Sequence, residues 1–295
     1  MRLRIGVVLN DSAGSCNDRS LRGRIQESLG SGADVSIHSA PGGAELRAAA
    51  TRYIQEGCNV LVAGGGDGTV SSLASLLVGS GIALGVLPLG TLNHFARDLG
   101  IPSDLDRASR VILAGHSTMV DIGELNGRFF INNSSLGLYP SIVRRRERRE
   151  RTGSSRLLAF AAAIVFALRR YPFLDAHVRV DGNEIVRRSP FFFIGNNGYE
   201  VEGLRLGRRA SVAGGSLSLY TANRTGRLGL LRIAVSALFR TLRRNRDFEI
   251  LAAHELLIST HRKRLAVALD GEVVHMAPPL RYSIRPAALR VMTPA

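Results

Sequence analysis

Apolar residues along the first 115 positions follow two alternating rhythms. Short runs rich in Val, Ile, Leu and Ala, at Leu3–Leu9, Asp34–His38, Asn59–Ala63 and Ile82–Leu87, are too brief for helices and predict strands. Between them, helical spacing predicts helices over Ser20–Leu29, Ala44–Glu56, Thr69–Val78 and Leu92–Leu99, with another over Leu105–Ala114. Strand and helix in alternation predict an open parallel sheet flanked by helices. Each predicted strand ends in a Gly, Pro, Asn or Ser cluster. Because ligands of such sheets bind beyond the carboxyl ends of the strands, chemistry is expected in those loops.

The pattern changes after Val120. Shorter strands are punctuated by Asn126-Gly127, Asp181-Gly182, Asn197-Gly198 and Asp270-Gly271, dipeptides suited to hairpin turns, so a mostly antiparallel β domain is expected. Two helical stretches interrupt it, Arg144–Arg170 and Leu228–Arg244. The fold class expected is therefore α/β in two domains, a parallel sheet with helices and then an antiparallel β domain, with the boundary near residues 121–126; Leu280–Met292 can form a last strand, whose place periodicity does not show.

Composition narrows the function classes. With 45% apolar and 21% charged residues in 295, the chain can build a sizeable core and is neither disordered nor fibrous. Two cysteines give no disulfide framework, the first ten residues lack a signal-peptide profile, and the longest apolar run, Leu157–Leu168, is too short to span a bilayer. A cytoplasmic protein is expected. The excess of 39 basic over 24 acidic residues, +15, favours anionic partners. Aromatics are only 6% and tryptophan is absent, which argues against a nucleic-acid binder. The six arginines of 144–151 beside Leu157–Leu168, and the stretch Arg227–Arg244, instead suit docking to an anionic membrane surface.

The sharpest local signal is Gly64-Gly65-Gly66-Asp67-Gly68-Thr69, directly after a predicted strand and opening a helix. Glycines let the backbone approach a phosphate, and a helix N-terminus offers it unpaired N–H groups. Asp67 supplies a hard oxygen for Mg²⁺, and Thr69 can cap the helix or donate a hydroxyl. A Walker A loop and a protein kinase are excluded, since the sole lysine is Lys263; the G-x-G-x-x-G fingerprint fails because Ser71 stands at its third glycine. A second loop, Pro88-Leu89-Gly90-Thr91-Leu92-Asn93, follows the fourth predicted strand, and Thr91 can cap the next helix or meet a phosphate. Asn10-Asp11-Ser12-Ala13-Gly14 adds donors after the first.

Together, Gly65-Gly66-Asp67-Gly68-Thr69 and Leu87-Pro88-Leu89-Gly90-Thr91-Leu92-Asn93-His94-Phe95-Ala96-Arg97 resemble the catalytic domain of the diacylglycerol kinase and sphingosine kinase family, most of all the soluble bacterial lipid kinases. The likeness extends to Val120-Asp121-Ile122-Gly123 and Asp270-Gly271-Glu272. It implies a two-domain enzyme, an α/β domain over residues 1–122 completed by 280–295 and a β-sandwich over 123–279, with ATP bound between them and contacts from Asn10, Ser39, the stretch Gly65, Gly66, Asp67, Gly68, Thr69 to Ser71, and Thr91. It implies Mg²⁺ near Asp67, Glu272 as general base and a lipid substrate at the membrane surface. A homodimer is compatible with the sequence. The chain departs from the family in carrying His94 where Asp is usual, and Gly214 where the sandwich commonly carries an aspartate that binds a second magnesium. An NAD-kinase-like small-molecule kinase and a catalytically impaired lipid- or nucleotide-binding regulator are the competing functions.

Overall fold

The fold is described from a computed structural model, which covers residues 3–11, 19–137, 173–202, 205–222, 229, 232 and 248–295. The predicted stretch Arg144–Arg170, and all of Leu228–Arg244 except 229 and 232, lie outside the described residues. The chain divides into two compact units. One comprises Met1–Ile122, Ser211–Gly214 and Arg285–Ala295; the other comprises Gly123–Ala210 and Gly215–Ile284.

In the first unit the predicted alternation is realised as β1 (Leu3–Asn10), α1 (Arg19–Gly30), β2 (Ala33–Ala40), α2 (Gly43–Gln55), β3 (Val60–Gly65), α3 (Asp67–Leu77), β4 (Ala83–Pro88), α4 (His94–Asp98), α5 (Leu105–Ala114) and most of β5 (Ser117–Leu125). The strands run in the order β2-β1-β3-β4, all parallel, and the end of the last strand of the chain, which contributes Val291 opposite Leu84, extends this sheet beside β4. Every residue of β3 and β4 is buried, as expected of a parallel sheet covered on both faces. Helix α1 packs beside α5 and α2 beside α3. Asp104 caps α5 by accepting from the Arg107 amide, and Gly115 closes that helix in the left-handed region, φ 76°.

The second unit is antiparallel. After the end of β5 come β6 (Arg128–Phe130), β7 (Asn133–Gly137), β8 (Leu174–Val180), β9 (Asn183–Ser189), β10 (Phe191–Asn196), β11 (Tyr199–Glu202), β12 (Arg205–Arg209), β13 (Leu217–Ala222), β14 (Phe248–Ala253), β15 (Glu255–Ser259), β16 (Leu265–Leu269), β17 (Glu272–Met276) and the start of β18 (Leu280–Met292). One layer has the order β14-β13-β10-β7-β16-β17, and the other carries β18-β15-β8-β9. Side chains from both layers meet in one buried cluster that includes Phe130, Leu136, Val178, Phe192, Leu219, Ile258 and Tyr282. Alternation along β8, buried at Leu174, Ala176 and Val178 and exposed between, is the pattern of a strand with one face in that core.

Three of the four predicted turns are two-residue hairpins with positive φ at both positions, at Asn126-Gly127, Asp181-Gly182 and Asp270-Gly271. Asn197-Gly198 is not. Asn197 has φ 66°, but β10 pairs with β7 and β13 while β11 turns away to pair with β12, so this dipeptide redirects the chain without joining neighbours. The segment Ser211–Gly214 lies with the first unit, where the Asp121 amide donates to the Val212 carbonyl at 2.9 Å.

Candidate phosphate site and the Asp270 turn

In the parallel sheet, β1 lies between β2 and β3, so the chain winds outward in opposite directions from the gap between β1 and β3. That gap is the topological switch point, where loops diverge and leave a crevice at the strands' carboxyl ends. Asn10 ends β1 there, one residue past the pairing of Leu9 with Gly64. Asn10 Nδ2 donates to Thr69 Oγ1 at 2.9 Å, fixing the glycine loop to the first strand.

Neither Asp67 nor Thr69 caps α3, contrary to the capping reading of Thr69. The N-cap is Gly66, which has no side chain to offer, so the helix begins with no side-chain cap. Thr69 is buried beneath Gly65, where a Cβ would sit 2.5 Å from its hydroxyl oxygen. The N–H groups of Asp67, Gly68 and Thr69 are thus the terminus donors that an intrahelical bond cannot satisfy, and they lie at the positive end of the helix dipole. Asp67 accepts from the Phe95 amide through Oδ1 at 3.1 Å, so α3's first residue braces the start of α4. Its Oδ2 has no hydrogen bond among the described residues.

The second loop folds against the first. A Cβ on Gly90 would overlap the Gly66 Cα, so glycine at 90 is what permits the two backbones to cross. Asn93 adopts the left-handed conformation, φ 48° and ψ 48°, and turns its amide inward. Its Oδ1 accepts from the Gly90 N–H at 3.1 Å, while Nδ2 donates to the carbonyls of Pro88 at 3.2 Å and Gly90 at 2.6 Å. Thr91 is exposed and caps nothing: Asn93 is the N-cap residue of α4, and its side chain makes no cap bond. Ser39 sits near the end of β2 opposite Leu9, and its buried hydroxyl has no hydrogen-bond partner among the described residues. Ser71 follows on α3. Asn10, Gly65, Gly66, Asp67, Gly68, Thr69 and Thr91 therefore share one sheet edge, with Ser39 one strand further out.

In the second unit, Asp270 and Gly271 form the hairpin between β16 and β17, with φ 45° and 94°. Asp270 is not the solvated turn carboxylate that an Asp-Gly dipeptide suggests. It accepts from the amides of Ile131 at 2.8 Å, Asn132 at 2.8 Å and Asn133 at 3.0 Å. Glu272 opens β17 and is exposed, and its side chain makes no hydrogen bond or ion pair among the described residues. Asp121, buried at 3% exposure, accepts from the Ala287 amide at 2.9 Å, where Ala287 holds φ 48°. Sequence reasoning gave none of these bracing roles, since no spacing rule distinguishes a carboxylate that binds amides from one that faces water.

Among the described residues, no group of three or more His, Cys, Asp and Glu side chains converges on one point. A nucleotide-borne Mg²⁺ fits the first site, because it commonly takes one or two carboxylates and completes its shell with phosphates and water. The second metal site of the resemblance does not fit, since Gly214 brings no oxygen-bearing side chain. Cys58 is buried, and burial pushes its thiol pKa up, away from reactivity.

Comparison with known proteins agrees with the α/β and antiparallel β architecture. The diacylglycerol kinase catalytic domain matches residues 4–125, and the YegS C-terminal NAD kinase beta sandwich-like domain matches residues 139–293. This chain belongs to the diacylglycerol kinase family. Family relatives in Staphylococcus aureus, strains JH9 and NCTC 8325 / PS 47, are named diacylglycerol kinase and are 30% identical over 66% of this chain and 62% of their own length. The chain thus spans under two thirds of those relatives. A solved diacylglycerol kinase from Bacillus anthracis str. Sterne superposes with TM-score 0.71 at 19% identity, covering 99% of this chain and 97% of its own. Another structure from that organism gives 0.77 at 21%, covering 99% of this chain and 96% of its own, a likeness of fold.

Proposed function

We propose that this chain transfers the γ-phosphoryl group of ATP to the hydroxyl of diacylglycerol or a related lipid. The observation that carries the reading is the uncapped N-terminus of α3 at the β1/β3 switch point, backed by Gly65, Gly66 and Gly90 and flanked by Asp67. Phosphoryl transfer asks little covalent chemistry of a protein; alignment, charge compensation and a proton acceptor suffice. The amides of Asp67, Gly68 and Thr69 hold phosphate oxygens, and Asn10 keeps Thr69 and hence the loop in register. Asp67, Gly66, Ser71, Ser39 and Thr91 complete the nucleotide contacts. When bound, Mg²⁺ offsets the negative charge on the phosphates, and the uncommitted oxygen of Asp67 holds it in part. Glu272 accepts the proton of the lipid hydroxyl as it attacks phosphorus, and the bridging oxygen leaves with ADP.

Action at an anionic membrane surface follows from the net charge of +15 and from Arg144–Leu168 and Arg227–Arg244, almost all of which lie outside the described residues. Among the described residues no helix is long and apolar enough to cross a bilayer. A cytoplasmic, peripherally membrane-associated enzyme is the corresponding placement, and a homodimer is tested by light scattering. The domain division proposed is 1–122 with 280–295, and 123–279.

The test is mass spectrometry of products after incubation with Mg-ATP and a total lipid extract, alongside NAD as a competing acceptor. A new phosphomonoester of a diacylated glycerol supports the reading, and phosphorylated NAD overturns it. Asp67→Ala and Glu272→Gln should keep the wild-type circular dichroism yet lose turnover, for a general base by roughly 10²- to 10⁴-fold. Gly214 favours one second reading, a regulator that binds lipid or nucleotide without turnover. Diacylglycerol in mixed micelles separates the two, since that regulator would bind ATP and release no ADP.

A further inference from the structure

The role given to Glu272 requires that the tip of its hairpin be held firmly, and the structure shows what holds it. We propose that Arg209 is a positioning residue for Glu272, acting through the Ile131–Asn132 peptide and the Asp270 carboxylate. The proposal rests on the reading of Glu272 as the proton acceptor.

Arginine is seldom fully buried unless it is paired, yet Arg209 is only 6% exposed while its neighbour Arg208 is exposed. Its guanidinium lies 5.9 Å from the centroid of the Tyr199 ring. Nη1 donates to the Ile131 carbonyl at 2.6 Å, and Nη2 reaches Asn132 Oδ1 at 3.4 Å. The opposite edge of that same peptide unit is the Asn132 N–H, which donates to Asp270 Oδ1 at 2.8 Å. A cation on the carbonyl draws electron density through the peptide and makes its N–H a stronger donor, so the two bonds reinforce each other.

The surrounding bonds brace the same short loop. Asn196 Nδ2 shares the Ile131 carbonyl at 2.9 Å, and the Tyr199 hydroxyl donates to the Asn132 carbonyl at 3.0 Å. On its other side the loop gives three amides to Asp270, and the Asp270 N–H returns a bond to the Asn133 carbonyl at 2.9 Å. Asp270 and Gly271 are the only two residues of the turn, so clamping Asp270 fixes the direction in which Glu272 leaves it. A reacting group displaced by about 1 Å can cost on the order of 10²-fold in rate, which makes this clamp matter to the chemistry.

The experiment uses the whole chain with Arg209→Gln, which keeps a donor but removes the charge, and Arg209→Lys, which keeps the charge on a single point. Amide hydrogen exchange is read by NMR at Ile131, Asn132 and Asn133, with β13 amides as an internal control. In Arg209→Gln, exchange at Asn132 and Asn133 should quicken by roughly tenfold or more while β13 is unchanged, as expected of a local opening. Turnover should fall by about 10- to 100-fold with the KM for ATP unaltered, and Arg209→Lys should lie between the two in both readouts. Unchanged exchange in Arg209→Gln overturns the proposal, and so does faster exchange with full turnover. If Arg209→Gln does not fold, Arg209→Lys carries the test by the same two criteria. A wild-type chain without kinase turnover would refute the function proposed above, and the exchange data alone would then decide for or against the Arg209 link.

Discussion

The turn at Asn93 offers a prediction whose size can be worked from the structure. Asn93 makes three side-chain hydrogen bonds within the 88–93 turn and sits in the left-handed region at φ 48°. Asn93→Ala removes all three, each worth about 1 kcal/mol net. It also places a Cβ-bearing residue without a local hydrogen bond in that conformation, costing roughly 1–2 kcal/mol. Partial solvation of the turn lets water recover some of this, so a loss of about 3 kcal/mol is expected. Asn93→Gly loses the same three bonds but not the conformational term, and should be about 1 kcal/mol less damaging than Asn93→Ala even after its greater unfolded-state freedom is counted. Asn93→Asp keeps an acceptor for the Gly90 N–H but turns its other oxygen toward two carbonyls, so it should fall close to alanine. Urea denaturation followed by circular dichroism gives the three values, and calorimetric titration with an ATP analogue shows whether the Gly66 crossing has moved. Equal losses for alanine and glycine would refute the left-handed argument. Losses under about 0.5 kcal/mol for both would show that the three bonds do not brace the turn.

Other expectations follow from the same geometry. Gly90→Ala should destabilise the chain by about 1–3 kcal/mol in denaturant titrations because its Cβ meets the Gly66 backbone, which cannot rotate away. Gly66→Ala, whose Cβ would lie 3.5 Å from the Gly90 Cα, should be clearly milder, and the reverse order would contradict the crossing. Tyr282→Phe leaves the buried Ser134 hydroxyl without its 3.0 Å partner and should cost about 1–2 kcal/mol, most of which the double variant with Ser134→Ala recovers. Partial burial alone would raise the Asp181 pKa, but the amides of Glu255 and His254 together with the His254 ring outweigh it and hold it below the usual value. A lowered folded-state pKa adds stability above the unfolded value of about 3.9 that is lost as pH falls through the folded one. The stability gap between wild type and Asp181→Asn should thus be full above about pH 4 and close below it, and a gap constant down to pH 2 would refute the assignment.

The parallel half was legible because several independent signals coincide there. Buried strands such as Val60–Gly65 appear as unbroken apolar runs, the helices between them carry a clear period, and loops at one sheet edge share glycines and small polar residues. The β1/β3 gap then follows from strand order, which the sequence does not state. The antiparallel half was less legible because an Asx-Gly pair describes a backbone shape and not its neighbours. Asn126-Gly127 and Asn197-Gly198 look alike, yet only the first joins paired strands. Ser211–Gly214 belongs with the first unit, where the Val212 carbonyl accepts from the Asp121 amide, a main-chain contact that no side-chain pattern announces.

Aspartate is where the sequence misleads most. Five aspartates at or beside turns and loops spend carboxylate oxygens on main-chain amides: Asp67 on Phe95, Asp104 on Arg107, Asp121 on Ala287, Asp181 on His254 and Glu255, and Asp270 on Ile131, Asn132 and Asn133. A short side chain can reach such amides without much rotamer loss, and a charged acceptor strengthens each bond. Asp67 engages the Phe95 amide through one oxygen, and its other oxygen has no hydrogen bond among the described residues, at the mouth of an uncapped helix. On the proposed function, bracing and chemistry are combined in Asp67 but divided between neighbours in the second unit, where Asp270 binds amides and Glu272 is exposed. That division makes a sharp demand on mutagenesis: Asp270→Asn should loosen the Ile131–Asn133 amides, whereas Glu272→Gln should leave their exchange untouched while turnover is lost.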